Sequence, residues 1–235
     1  MKSYNYEGLT FNVFDEHTKY WINQTIDERF TKKSYEREEI AAIRRILRRD
    51  DVVLDLGASL GVTSCVVANI INNPNNLVSV EANPNLIENL RNNMELNNKN
   101  FIIKEGAVSY NNREVKFNFN GLSHSGSIYK KRHLIGEEKE VKYGKYQSVT
   151  KTTITPMDLE KEFGKKFTFL SCDIEGEEFD MMYELYSYFK DFNGMIIEFH
   201  MNRGDEKHNR AEIHSMYSKE FKITTIGATS IFERK

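Results

Sequence analysis

Five acidic residues in this 235-residue chain, Asp55, Glu81, Glu105, Asp173 and Glu198, each stand at the end of a short apolar run or just after it. Such runs suit parallel strands buried on both faces. In a parallel sheet all five acids would gather at one edge, where like charges repel unless something offsets them. A cationic small molecule would do so, and an anionic phosphate ligand would not. Asp173 is followed by Glu175, and Glu198 by His200. Carboxylates and an imidazole at one edge are the groups that move protons near neutral pH. Asp173 is the first candidate for a base, with Glu175 binding an acceptor or orienting Asp173; His200 is the other candidate base. Carboxylate and imidazole would also suit a divalent metal. The ligands would come from separate strands without tight spacing, however, and no metal is expected.

The turn that serves this edge follows Val52–Leu54, a strand closed by Asp55. Gly57 and Gly61 lie in it, with Ala58 and Ser59 between them, and Val62 to Ile70 reads as a helix. Glycine lets the chain turn sharply and approach a ligand. The dinucleotide fingerprint G-x-G-x-x-G lacks its second glycine here, because Ser59 stands in that place. Asp-Leu-Gly-Ala followed by a glycine at the helix start resembles motif I of class I S-adenosylmethionine-dependent methyltransferases. Glu81 lies 26 residues beyond Asp55, at the end of the next strand. An acid so placed accepts hydrogen bonds from ribose hydroxyls in either cofactor, so Glu81 does not separate S-adenosylmethionine from NAD. The acidic edge does, since S-adenosylmethionine carries a sulfonium and an ammonium. Asp55, Gly57, Ala58, Ser59, Gly61, Glu81, Ala82 and Asp173 are the candidate cofactor residues from these motifs.

Composition bounds the rest. The net charge of −2 gives no footprint for nucleic acid or an anionic membrane. Cys65 and Cys172 are too few for a disulfide framework and read as small buried residues in a reducing compartment. The start has no apolar leader-like stretch, so a cytoplasmic location is the expectation.

The elements that must hold these residues follow in chain order. Residues 1–33 are rich in aromatics, including Tyr4, Tyr6, Phe11, Trp21 and Phe30, and read as a cap of short strands or a lid. Residues 34–235 read as the main domain. Ser34 to Arg49 is a helix, with Ser34 as its cap, acids at its start and a stripe of Ile40, Ile43, Ile46 and Leu47. Leu77–Val80 and Phe101–Lys104 are strands, with a helix from Leu86 to Leu96 between them. Val115, Phe117 and Phe119 alternate as on a half-buried strand, and Val141–Ile154 looks like its partner, so 108–155 reads as a β insertion. His124 lies in its polar tract as a solvated loop residue. Thr155 caps a helix with Pro156 at its first position. Phe167–Cys172 and Met195–Ile197 are strands, and one helix carries Phe179 to Phe189, with Glu177 and Glu178 as acids of its first turn. Residues 205–219 read as helical, and Lys222–Ile226 with Ser230–Arg234 as a terminal strand pair. This is an α/β fold with a mostly parallel sheet, a β insertion and an antiparallel C-terminal pair.

The order of motifs (Asp-Leu-Gly-Ala, Glu81-Ala82-Asn83-Pro84, Glu105-Gly106-Ala107, the insertion, Asp173-Ile174-Glu175-Gly176-Glu177, Ile-Glu-Phe-His) resembles the FkbM family of methyltransferases over roughly residues 35–200. The family usually carries Asn at the position of Ser59 and often Lys at that of Cys172, so no lysine-dependent role is expected. The resemblance implies a class I methyltransferase Rossmann-like fold, S-adenosyl-L-methionine as cofactor, adenine near Gly106 and Ala107, and O-methylation of a hydroxyl on a sugar or other small natural product. An NAD(P) oxidoreductase and a non-catalytic S-adenosylmethionine-binding module are the alternatives. No nucleic-acid or membrane partner is expected, and the sequence is silent on oligomeric state.

Overall fold

Seven of the apolar runs assemble into one sheet. The computed structural model describes residues 2–13, 27–32, 36–120, 126–128, 146–200 and 208–235. The elements are β1 (Lys2–Tyr6), β2 (Leu9–Val13), α1 (Asp27–Thr31), α2 (Arg37–Ile46), β3 (Val53–Leu56), α3 (Val62–Ile70), β4 (Leu77–Glu81), α4 (Ile87–Leu96), β5 (Ile102–Glu105), β6 (Glu114–Asn120), β7 (Gly126–Ser127), β8 (Tyr146–Thr152), α5 (Pro156–Phe163), β9 (Phe169–Cys172), α6 (Glu178–Glu184), α7 (Tyr186–Phe189), β10 (Gly194–Glu198), α8 (Arg210–Tyr217), β11 (Phe221–Ile226) and β12 (Thr229–Arg234).

The sheet order is β11-β12-β10-β9-β3-β4-β5. Strands β10, β9, β3, β4 and β5 run parallel, while β12 runs antiparallel to both β10 and β11. This is the class I methyltransferase Rossmann-like arrangement, with the expected antiparallel pair at its end. Strands β3, β4 and β9 are buried throughout, which is why their sequences are continuously apolar rather than alternating. Helices α2, α3 and α4 cover one face and α6 and α8 the other, each with its own apolar core.

Helix α3 has the bounds read from sequence. Helix α2 is shorter than expected. Ser34 lies outside the described residues, and Glu36 holds the cap position at φ 46° with no side-chain cap. The single helix expected from Phe179 to Phe189 is two, joined at Leu185. Thr155 caps α5 as read: its hydroxyl accepts the Asp158 N–H at 3.1 Å, and the Asp158 carboxylate accepts the Thr155 N–H at 3.0 Å.

At the N-terminus, β1 and β2 form a hairpin, and Tyr4, Tyr6 and Phe11 pack with Phe30 of α1. Phe14, Tyr20 and Trp21 lie outside the described residues. Asparagines attach the hairpin to α4. The Thr10 N–H donates to Asn97 Oδ1 at 2.9 Å and the Asn12 N–H to Asn93 Oδ1 at 2.7 Å. The insertion is a separate antiparallel sheet, β7-β6-β8. Phe117 and Phe119 are buried in it, as their alternation requires. No helix among the described residues is long and apolar enough to cross a membrane.

Candidate active site

The chain leaves β3 through Gly57, at φ +83°, and turns back through Ser59, at φ 48°. The N–H groups of Gly57 and Ala58 both donate to Val80 O, at 2.9 and 3.1 Å. A Cβ on Gly57 would lie 1.8 Å from the carbonyl oxygen of Asp173, so the ends of β3 and β9 meet as closely as glycine permits. Ala58 and Ser59 line the cleft this turn opens. Gly61 does not. Its φ of +81° starts α3, and a Cβ there would meet Leu90 Cδ1 at 2.5 Å, so the glycine serves helix packing behind the loop.

Glu81 reaches across from β4. One carboxylate oxygen accepts the Ser59 N–H at 2.7 Å and the other the Asn83 N–H at 2.6 Å. Each oxygen keeps a second lone pair, and the side chain lines the cleft. Burial pushes its pKa up to about 7, against the backbone hydrogen bonds that favour the charged form. Ala82, Gly106 and Ala107 continue this wall. Asp55 lies within β3 rather than at its end. Its carboxylate accepts from the hydroxyls of Ser64 and Ser79 beneath the loop. Glu105 is displaced from the expected acidic edge. It stands on the edge strand, half exposed, and pairs with Lys151 at 2.7 Å outside the cleft.

The opposite wall carries the proton-active groups. His200 Nε2 lies 3.6 Å from Asp173 Oδ1, 3.7 Å from Glu175 Oε2 and 3.7 Å from Glu198 Oε1. Its Nδ1 lies 3.1 Å from Oε1 of the fully buried Glu178. That oxygen also accepts the N–H groups of Ile174 and Gly176, so Glu178 orients both the imidazole and the turn before α6. Burial by itself would lower the His200 pKa. The Glu178 hydrogen bond and the charges of Asp173, Glu178 and Glu175 outweigh it and raise the value to about 10. Burial lifts Asp173 well above the usual carboxylate range; the His200 charge opposes this, and Glu36, Glu175 and Glu198 add to it. Asp173 Oδ1 has no solvent contact and no hydrogen-bond partner, and neither does Glu178 Oε2.

Thus Asp173, Glu175 and His200 come together as the sequence suggested. Three acids the sequence reading assigned to helix starts come with them. Glu36 and Glu39 reach the cleft from the α2 end, and Glu178 holds His200. A signal was present for the first two: Glu36 falls in phase with Ile40, Ile43 and Leu47, and Glu39 with Ile43 and Ile46, so both sit on the inward stripe. Burial raises Glu39 well above the usual range, with Glu36, Asp173 and Asp55 adding to it. Glu177 is likewise more than an exposed helix acid: it is 1% exposed, accepts from the Ser109 hydroxyl, and pairs with Arg113 at 2.7 Å. Arg29 enters from α1. The insertion supplies Phe117, Gly126 and Ile128, and the Ser127 hydroxyl ties it to Glu175 O at 2.7 Å. His124 lies outside the described residues.

The chain matches the family described as "Methyltransferase FkbM domain" over residues 55–222. No curated protein sequence matches it. Among solved structures, it is similar to a methyltransferase from Pyrococcus furiosus (13% identity, TM-score 0.47, covering 96% of this chain and 89% of that one). It is also similar to a TehB-like SAM-dependent methyltransferase from Corynebacterium glutamicum ATCC 13032 Kitasato (10% identity, TM-score 0.47, 91% and 96%). A third is the tRNA (uracil-54, C5)-methyltransferase of Pyrococcus abyssi in complex with S-adenosyl-L-homocysteine (11% identity, TM-score 0.46, 98% and 43%).

Proposed function

Because the chain belongs to the FkbM methyltransferase domain family, and is an S-adenosylmethionine-dependent methyltransferase, we propose that it methylates a hydroxyl oxygen on a sugar or other small natural product, with the proton taken up at the Asp173–Glu175–His200 cluster. The observation that carries this reading is the cluster itself, set across the cleft from the Gly57 turn and the Glu81 carboxylate.

The residues fit the cofactor. Glu81 keeps lone pairs for ribose hydroxyls, the main chain at Gly106 and Ala107 offers groups for a base edge, and the buried Ser59 hydroxyl lacks a protein partner. The acids opposite favour a ligand with a sulfonium and an ammonium. When bound, S-adenosylmethionine supplies an electrophilic methyl group. The task left to the protein is alignment, which contributes on the order of 7–11 kcal/mol, and removal of a proton, which adds about 10²–10⁴-fold. His200, held as a cation by Glu178 and the surrounding carboxylates, orients Asp173. The acidic cluster shares its protons, and the acceptor's proton joins that shared set. In this reading residues 1–33 cap the catalytic domain of residues 34–235, with Arg29 reaching the cleft from the cap.

The test is release of S-adenosylhomocysteine with a panel of methyl glycosides and phenols, with the product's methyl position read by NMR. An O-methyl product, lost in Asp173→Asn, is expected. A methyl on nitrogen or carbon overturns the O-methylation reading.

A further inference from the structure

We propose that Ser127, on the short strand β7 of the insertion, is a positioning residue for Glu175: it pins the peptide that keeps the Glu175 carboxylate beside His200. Its hydroxyl donates to Glu175 O at 2.7 Å. The other end of the same peptide, the Gly176 N–H, donates to Glu178 Oε1 at 3.0 Å. One peptide is thus gripped from both sides, once from the insertion and once from α6. Ser127 is 1% exposed and Glu178 0%, so neither grip competes with bulk water.

The turn needs holding. Glu175 has φ 61° and Gly176 φ 128°. A side chain at positive φ crowds its own backbone, and such a residue persists only where its surroundings over-determine it. Of the five non-glycine residues with positive φ among the described residues, Glu36, Ser59 and Glu175 line the cleft, so this strain is gathered at the site. With Glu175 held, its Oε2 stands 3.7 Å from His200 Nε2. Released, the residue would relax toward ordinary backbone angles and carry its carboxylate away from the imidazole. Gly126 and Ile128, on either side of Ser127, line the cleft, so the strand that borders this space also holds an acid of the cluster. Arg113 and the Ser109 hydroxyl secure the end of the turn at Glu177. The consequence for turnover rests on the methyl-transfer reading; the grip on Glu175 does not.

The test reads His200 in the full chain through its imidazole 1H–15N NMR signal, assigned by its loss in His200→Gln and followed in a pH titration. Facing His200 are Asp173 and Glu175 from the turn, Glu178 from α6, Glu198 from β10 and Glu36 from the start of α2. Against burial, which lowers it, the Glu178 hydrogen bond and the Asp173, Glu178 and Glu175 charges raise its pKa to about 10. Glu175→Gln removes one of these charges and should lower the midpoint by roughly one pH unit. Ser127→Ala should lower it by roughly half as much or more. Ser127→Cys, which keeps the side chain's size but donates weakly, should follow it. In Ser127→Ala/Glu175→Gln the midpoint should match that of Glu175→Gln alone, because Ser127 acts through Glu175. Circular dichroism checks each fold. A midpoint that does not fall in the folded Ser127 variants or in Glu175→Gln, or that falls further in the double variant, overturns the proposal. With an O-methylated member of the glycoside and phenol panel as substrate, Ser127→Ala should lower kcat about tenfold or more and leave S-adenosylhomocysteine affinity unchanged. A wild-type kcat would overturn the role in turnover. The expected His200 shifts in a chain that makes no O-methyl product sink the methylation reading and spare the grip on Glu175; an O-methyl product without those shifts does the reverse.

Discussion

The carboxylate of Glu81 accepts the main-chain N–H of Ser59 at 2.7 Å, so the acid at the end of one strand holds the loop that leaves its neighbour. The shape of the loop therefore depends on this side chain, which the proposed function also assigns to ribose recognition.

Replacing Glu81 by Gln keeps the volume and removes the charge. The amide N–H₂ cannot accept the Ser59 or Asn83 N–H, and the hydroxyls of the cofactor lose a charged acceptor. Such hydrogen bonds are each worth about 1.5–3 kcal/mol. S-adenosylhomocysteine affinity should fall roughly 10–100-fold, as measured by calorimetry.

The same residue sets a pH response. Burial raises Glu81 from 4.5 to about 7, so the folded chain holds this proton more tightly than the unfolded one. Its contribution to stability is therefore lost as pH climbs from about 4.5 to about 7, on the order of 3 kcal/mol. Hydroxyl donors favour the ionised carboxylate, so S-adenosylhomocysteine affinity should rise as pH passes upward through about 7. Glu81→Gln should flatten both trends in urea melts and titrations; a wild-type pH profile in that variant would assign the response elsewhere.

Two glycines with positive φ should respond very differently to alanine. At Gly57 the new Cβ would meet a backbone oxygen at 1.8 Å, which neither strand can relieve alone. Gly57→Ala should lose more than about 4 kcal/mol. At Gly227 there is open space, and Gly227→Ala should cost only about 1–2 kcal/mol for its backbone angle. Thermal unfolding of the pair decides.

Asn93 joins three segments: it accepts from the Asn12 N–H, donates to Leu60 O at 2.9 Å, and is itself part of α4. Asn93→Ala leaves both partners unpaired near the core, at about 1–3 kcal/mol each. The melting midpoint should fall by roughly 5–10 °C.

Arg113 and Lys166 each pair with a buried glutamate at 2.7 Å, yet only one pair should matter. Arg113 is mostly buried beside Glu177, and Arg113→Met should cost about 2–3 kcal/mol by leaving that charge short of a partner. Lys166 is 88% exposed, so Lys166→Met should cost under about 0.5 kcal/mol. Equal losses in denaturant melts would contradict this.

The parallel sheet was legible because burial on both faces writes itself as unbroken apolar runs, and α3 was legible because glycines mark its start. The cleft wall formed by Gly57, Glu81 and Gly106 followed from where those runs end. The sequence did not separate Glu105 from the other acids, since nothing local says that β5 is the edge strand or that Lys151 will draw its acid outward. It also hid Glu36, Glu39 and Glu178. An acid near a helix start already has a sufficient local explanation, and only tertiary packing shows these three turned inward. Leu185, where one apolar stripe becomes two helices, carries no glycine or proline to announce the break.

The insertion pairs its seven-residue strands with each other, and it joins the parallel sheet's side of the molecule through contacts such as the Ile154 N–H with Ala107 O, Arg113 with Glu177, Lys151 with Glu105 and Ser127 with Glu175. Its inner residues nevertheless form part of the cleft. Two inheritances are thereby kept apart in one chain. The floor around the Gly57 turn and Glu81 is locked into the seven-stranded sheet, whereas the roof is a self-supporting panel. Under the proposed methyl transfer, its inward residues can change to fit a new acceptor while the floor stays as it is.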